Sequence, residues 1–151
     1  MVRTMGSWLS GPEDQRSSSY PGERLGFPPS GSGSIARFGR RIAALCVDWL
    51  VCYGLAALAM TFGLVSEAAL STAVLVVWLV LGVVSVRLFG FTTGQLALGL
   101  KVASLSPHGY VGLGQALGRS LLITLVIPAL FTDSDLRGLH DLATKTAVVR
   151  R

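Results

Sequence analysis

Five ionisable residues fall inside apolar runs or at their edges, where a charge is costly and therefore informative. Arg41 and Asp48 lie in "RRIAALCVDWL", Arg119 in "GRSLLITLVIPALF", and His140 and Asp141 in "RGLHDLATKTAVV". A charged side chain at the centre of a membrane helix costs about 2.5–3.5 kcal/mol on insertion scales, so such groups are paired or line a path for ions or protons. Two chemistries follow: a fixed ion pair that clamps helices together, and a protonatable carboxylate in an ion path. The two overlap if the pair opens during transport.

Asp48 lies about 9 Å past Ile42 along a helix, below the interface, and must face protein or water rather than lipid. Arg41, seven residues earlier, falls on the same face at about 700°, roughly 10 Å away along the axis. Helical side chains lean toward the N-terminus, which directs Arg41 to the headgroups and away from Asp48. The partner of Asp48 is therefore expected from another element. Arg119 is the first candidate, with Gln115, one turn earlier, as a hydrogen-bond donor. At the second site, His140 suits a proton relay or pH sensor, because imidazole titrates near neutrality. The structural alternative, which is preferred, has Asp141 bracing the C-terminal segment against Arg41 or Arg119.

Other chemistries find little support. His108 is the only other histidine, and no ligand spacing links it to His140, so neither metal nor cofactor is expected. Cys46 and Cys52, six residues apart, project from different helix faces and read as small apolar fillers. "GLGQALG" lacks the Lys-Ser/Thr ending of a phosphate loop, and its glycines suit close helix packing. No nucleophile–base–orienter set is visible, so the chain is read as non-enzymatic. The net charge of +5 is scattered and forms no basic stripe, which argues for membrane orientation over nucleic-acid binding.

The elements that position these residues are membrane helices. The 151-residue chain is 51% hydrophobic and only 14% charged, against about 25% charged in typical soluble proteins. Residues 1–37 contrast with this: eighteen are Gly, Pro or Ser, which predicts a disordered tail. No apolar region follows the first Arg as in a signal peptide, and Trp8–Leu9 is at most a short docking element. A first membrane helix is expected from about Ile42 to Val65 and a second from about Ala68 to Val86, joined by the tight turn "VSEAAL" as an antiparallel hairpin. Trp49 and Trp78 are expected to pack within the runs, and Arg87 and Lys101 to snorkel to phosphates.

Arg37, Arg40 and Arg41 precede the first helix and Arg87 follows the second, while the turn between carries only Glu67. The positive-inside rule then makes the N-terminal tail cytoplasmic. The third apolar run, Ser120 to Phe131, is short and contains Pro128. Extended back to Leu113 it barely spans. It is either a single crossing or a kinked re-entrant helix, and the basic C-terminal residues favour the re-entrant form. Leu100–Leu105 and Thr146–Arg150 read as strands, and pairing them requires both on one side of the membrane.

The order of these motifs resembles the RDD family of small bacterial membrane proteins, which is named for an arginine and two aspartates. The resemblance covers about residues 35–151. It assigns the family motif to Arg41, Asp48 and Asp141, matches Thr93, Gly94 and Gly99 in "TTGQLALGLKV" to the family's linker, and places Arg119 where an arginine commonly opens the last apolar region. The last apolar region is shorter here than in the family, where it is often long enough for a helical hairpin. The resemblance implies a multi-pass protein of the bacterial plasma (inner) membrane with a transport-like or accessory role. The expected fold is an all-α membrane protein: an antiparallel transmembrane hairpin, a third short kinked or re-entrant helix, and a small cytoplasmic β-pair, with the membrane domain spanning 38–151. The expected function is a transport-associated or accessory subunit, embedded in the lipid bilayer as a homo-oligomer or part of a larger complex. The rival is a proton-coupled cation transporter acting as an oligomer.

Overall fold

A computed structural model describes residues 18–125 and 137–151. It is mostly helical, with a small two-stranded sheet. Helix α1 runs Phe38–Thr61 and α2 runs Leu70–Phe89, with a short 3-10 turn, Glu67–Ala69, leading into α2. Both are long and apolar enough to cross a membrane. Helix α1 starts earlier than the sequence suggests, so Arg40 and Arg41 belong to its first turn. It also ends earlier, because Gly63 turns the chain in the left-handed region at φ 73°. Gly90, at φ 77°, terminates α2 by donating its N–H to Val86 O.

One face of α1 is buried: Arg41, Ala44, Asp48, Cys52 and Ala56, at helical spacing. The small residues allow α2 to approach closely. Cys52 and Ala56 pack with Val74, Val77, Trp78 and Leu81 of α2. Outer faces are apolar and exposed, including Leu50, Leu58, Leu75, Val80 and Leu88. Trp78 packs as expected, whereas Trp49 lies on the outer face of α1, stacked on Tyr53 at 5.5 Å. Cys46 is likewise exposed, while Cys52 is buried.

After α2 the chain forms helix α3, Thr93–Ala97, then strand β1, Leu100–Ser104. Helix α4, Leu113–Thr124, follows, and after the segment 126–136 come helix α5, Leu139–Thr144, and strand β2, Thr146–Arg150. The two strands pair antiparallel, with Leu100 opposite Arg150 and Ser104 opposite Thr146. This is the β-pair expected from the sequence, one residue shorter at Leu105. Both faces of the ribbon are packed: Leu100, Val102 and Val148 on one face meet Ala36, Ala44, Val86, Val111 and Ala116, and Ala147 and Val149 on the other meet Ile35.

The stretch just before α1 departs from the expected tail. Residues 33–36 lie along the other edge of β2. Gly33 N–H donates to Arg150 O at 2.8 Å, Arg150 N–H to Ser34 O at 2.9 Å, and Ala36 N–H to Val148 O at 2.9 Å. Ile35 and Ala36 are buried, and Phe27 packs against Ile35. The ordered unit therefore begins well before residue 38. Gly and Ser suit this stretch to an edge pairing that needs only backbone groups and one apolar anchor. Trp8–Leu9 lies outside the described residues.

The described part of the third apolar run belongs to α4, Leu113–Thr124, about 18 Å long. Pro128 and the kink expected there lie outside the described residues. Helix α4 packs on α2, where Gly82 leaves room for Ser120: a Cβ at Gly82 would stand 3.0 Å from Ser120 Oγ. Arg151 N–H donates to Gly99 O at 2.8 Å, so residue 151 and the start of α1 sit at the same end of the molecule.

Candidate functional site

Two carboxylates are buried at that end, each held differently. Asp48 points from α1 at the N-terminus of α3. Its Oδ2 accepts from Thr92 Oγ1 at 2.5 Å, and its Oδ1 accepts from Thr93 Oγ1 at 2.8 Å and from Gly94 N–H at 2.7 Å. Helix α3 is started by its own capping box, in which Thr92 Oγ1 accepts from Gln95 N–H and Gln95 Oε1 accepts from Thr92 N–H. The carboxylate of a neighbouring helix thus completes the cap of α3, where exposed N–H groups and the helix dipole both favour negative charge. Gly94 makes the approach possible: a Cβ there would lie 2.0 Å from Ala44 O and 3.0 Å from Asp48 Cγ. Gly99, at φ 65°, ends the linker in the left-handed region and turns the chain into β1.

Asp141 is fully buried on α5 and carries two ion pairs, one oxygen to each arginine. Oδ2 takes Arg41 Nη2 and Oδ1 takes Arg119 Nη1. Further groups complete the shell. Gly138 N–H donates to Oδ2 at 3.3 Å, and Thr146 Oγ1 donates to Oδ1 at 3.4 Å. His140 Nε2 lies 3.3 Å from Oδ1 and 3.4 Å from Arg41 Nη2. The ring either accepts from Arg41 when neutral or donates to Asp141 when Nε2 is protonated. Thr144 Oγ1 bonds His140 O at 2.7 Å and shares a hydrogen bond with Thr146 Oγ1 at 3.0 Å. One carboxylate therefore ties α1, α4, α5 and β2 together.

These contacts correct three expectations. Arg119 is not the bonded partner of Asp48; it pairs with Asp141. Arg41 does not reach for headgroups. It is 7% exposed and turned inward, because α5 brings a buried carboxylate within its range, and a charge-assisted pair outweighs the intrinsic lean of the side chain. Gln115 does not donate to Asp48. Its Oε1 accepts from Gly112 N–H at 2.9 Å at the start of α4, and its Nε2 donates to Thr144 O at 3.0 Å. The bracing of Asp141 against Arg41 or Arg119 is realised with both.

The two sites are not isolated. A void of about 20 Å³ lies between them, lined by Arg41, Asp48, Gln95, Arg119 and His140 among others. That is room for about one water, which needs at least roughly 10–15 Å³ and polar partners. Two arginines and two aspartates thus form a cluster with balanced charge. Among the described residues, no group of His, Cys, Asp and Glu is arranged to hold a metal ion. The partners sequence reasoning missed are Thr92, Gly138, Thr144 and Thr146. Thr92 carried a readable signal, the T-x-x-Q capping box before a short apolar run; the others are recognisable only once β2 is placed.

The model of the RDD family matches residues 35–145, a span that begins at the Ile35 pairing and contains every side chain named in both sites except Thr146. No curated protein and no solved structure matches the chain.

Proposed function

The chain belongs to the RDD family, and from that premise we propose that it is a transport-associated or accessory subunit of the bacterial inner membrane, without enzymatic activity of its own. In this reading α1 and α2 form an antiparallel transmembrane hairpin whose connecting turn carries only Glu67. Arg37, Arg40, Arg87, Lys101, Arg150 and Arg151 gather at the opposite, cytoplasmic end. Strand β2 returns beside the start of α1, which supports a re-entrant third segment and a cytoplasmic C-terminus. The exposed apolar faces of α1 and α2 meet lipid or further subunits of an oligomer or larger complex.

The observation that carries the accessory reading is the double pairing of Asp141. A carboxylate saturated by two arginines and braced by Gly138 and Thr146 is built as a lock between the membrane hairpin and the cytoplasmic ribbon. Pull-down in mild detergent with mass spectrometry is expected to recover a fixed stoichiometric partner or a defined oligomer. Accessibility of a C-terminal tag only from the cytoplasmic side is the matching topology result, and external labelling would refute the re-entrant arrangement.

A second reading, a proton-coupled cation transporter acting as an oligomer, is favoured by one feature: Asp48, Arg119 and His140 share a void that admits a water. Proteoliposome flux separates the two. Loss of proton-coupled cation flux in a folded, oligomeric Asp48→Asn variant would sink the accessory reading. Absence of flux in the wild type, with a constant partner, would sink the transporter.

A further inference from the structure

Apart from the void at the carboxylate cluster, a second cavity of about 270 Å³ opens beside the start of α1. It is lined by Pro29, Ser30, Ser34, Ile35, Arg37, Arg40 and Arg150. Three arginines converge on it from separate places: the residue before α1, the first turn of α1, and the end of β2. Pairing of residues 33–36 with β2 is what brings Arg150 to Arg37. Among the described residues, none of these three guanidiniums has an ion-pair or hydrogen-bond partner. The lining contains no acidic side chain, the first turn of α1 has no acidic residue, and its N-terminus has no side-chain cap. The cavity is smaller than the roughly 300–1,000 Å³ of sites for drug-sized ligands, which suits a compact anion.

We propose that this cavity is a binding site for a phosphate group. Guanidinium forks match phosphate oxygens in geometry as well as charge, and the uncapped N–H groups of α1 add donors of the same sense. The phosphate is either a free or soluble phosphate or the headgroup of an anionic lipid. On the membrane orientation proposed above, α1 begins at the cytoplasmic headgroup layer, which puts lipid phosphate within reach. The soluble-phosphate source does not depend on that orientation.

The test uses the full chain purified in detergent, with phosphatidylglycerol, phosphatidylcholine and inorganic phosphate as probes. Binding is read by native mass spectrometry for lipids and by thermal shift for phosphate. The site predicts retention of phosphatidylglycerol over phosphatidylcholine. Each arginine is expected to contribute about fivefold, and the triple variant Arg37→Gln/Arg40→Gln/Arg150→Gln to lose on the order of a hundredfold. A charge-matched control, Arg87→Gln/Lys101→Gln/Arg151→Gln, is expected to lose far less than the triple variant, because none of its side chains lines the cavity. If the triple variant fails to fold, the three single variants carry the same comparison. Displacement of phosphatidylglycerol by millimolar inorganic phosphate identifies the soluble ion as a competent ligand. Retention against it identifies lipid as the source, and either result supports the site. Equal loss in the charge-matched control would overturn it, since any basic surface would then suffice. Failure of the wild type to bind either anion would overturn it as well.

Discussion

Asp48 and Asp141 are both buried carboxylates of one motif, yet they are stabilised by opposite means. Asp141 is neutralised by charge, with an arginine on each oxygen. Asp48 is stabilised by neutral donors, two hydroxyls and a backbone N–H at the start of α3. The first arrangement joins elements far apart in sequence and depends on charge balance. The second fixes a local crossing, α3 against α1, and depends on shape as much as on charge. A polar group in an apolar helix need not imply an ion pair; the end of a short helix serves as well.

The comparison is most directly broken at Asp141. Asp141→Asn leaves two buried arginines uncompensated and is expected to destabilise by about 3–5 kcal/mol, read as a loss of thermal or denaturant stability in detergent. Gly94→Ala should come next, at roughly 1–3 kcal/mol, because its Cβ would meet the Ala44 carbonyl, a backbone atom with little room to yield. Asp48→Asn should cost only about 1 kcal/mol, since an amide oxygen still accepts from Gly94 N–H and Thr93. A loss as large as that of Asp141→Asn would show that Asp48 also depends on its charge. Smallest of all is the combined replacement Arg41→Met/Arg119→Met/Asp141→Leu. Removing every charge of the lock together is expected to recover most of the stability lost in Asp141→Asn. Persistent instability there would mean that the pairs supply more than mutual neutralisation.

Much of this arrangement is legible in the sequence, for a physical reason. Helices α1 and α2 announce themselves because long uncharged runs admit no other structure, and the strands by β-branched residues beside turn-formers. The two carboxylates stand out because apolar surroundings make charge conspicuous. Their partners do not, because partner choice is set by the crossing of elements. Nothing within "RRIAALCVD" tells that α5 will place Asp141 against Arg41. The lean of a helical side chain is a weak preference, and a buried counter-charge overrides it. The role of residues 33–36 was hidden for a related reason: glycine and serine resemble a flexible tail in composition, and only the adjacent edge of β2 gives their backbone groups a partner.

The position of Asp141 in the chain bears on the order of events during synthesis. Arg41 emerges a hundred residues before its counter-ion, and α1 and α2 are complete long before α5 and β2 exist. Until residues 138–150 are made, Arg41 and Arg119 must remain solvated or shielded by other groups, and residues 33–36 lack the edge they will occupy. Closure of the two-stranded ribbon is therefore a late, non-local step, and the stretch from Gly138 to Arg150 acts as the latch that joins α1 and α2 into a finished domain.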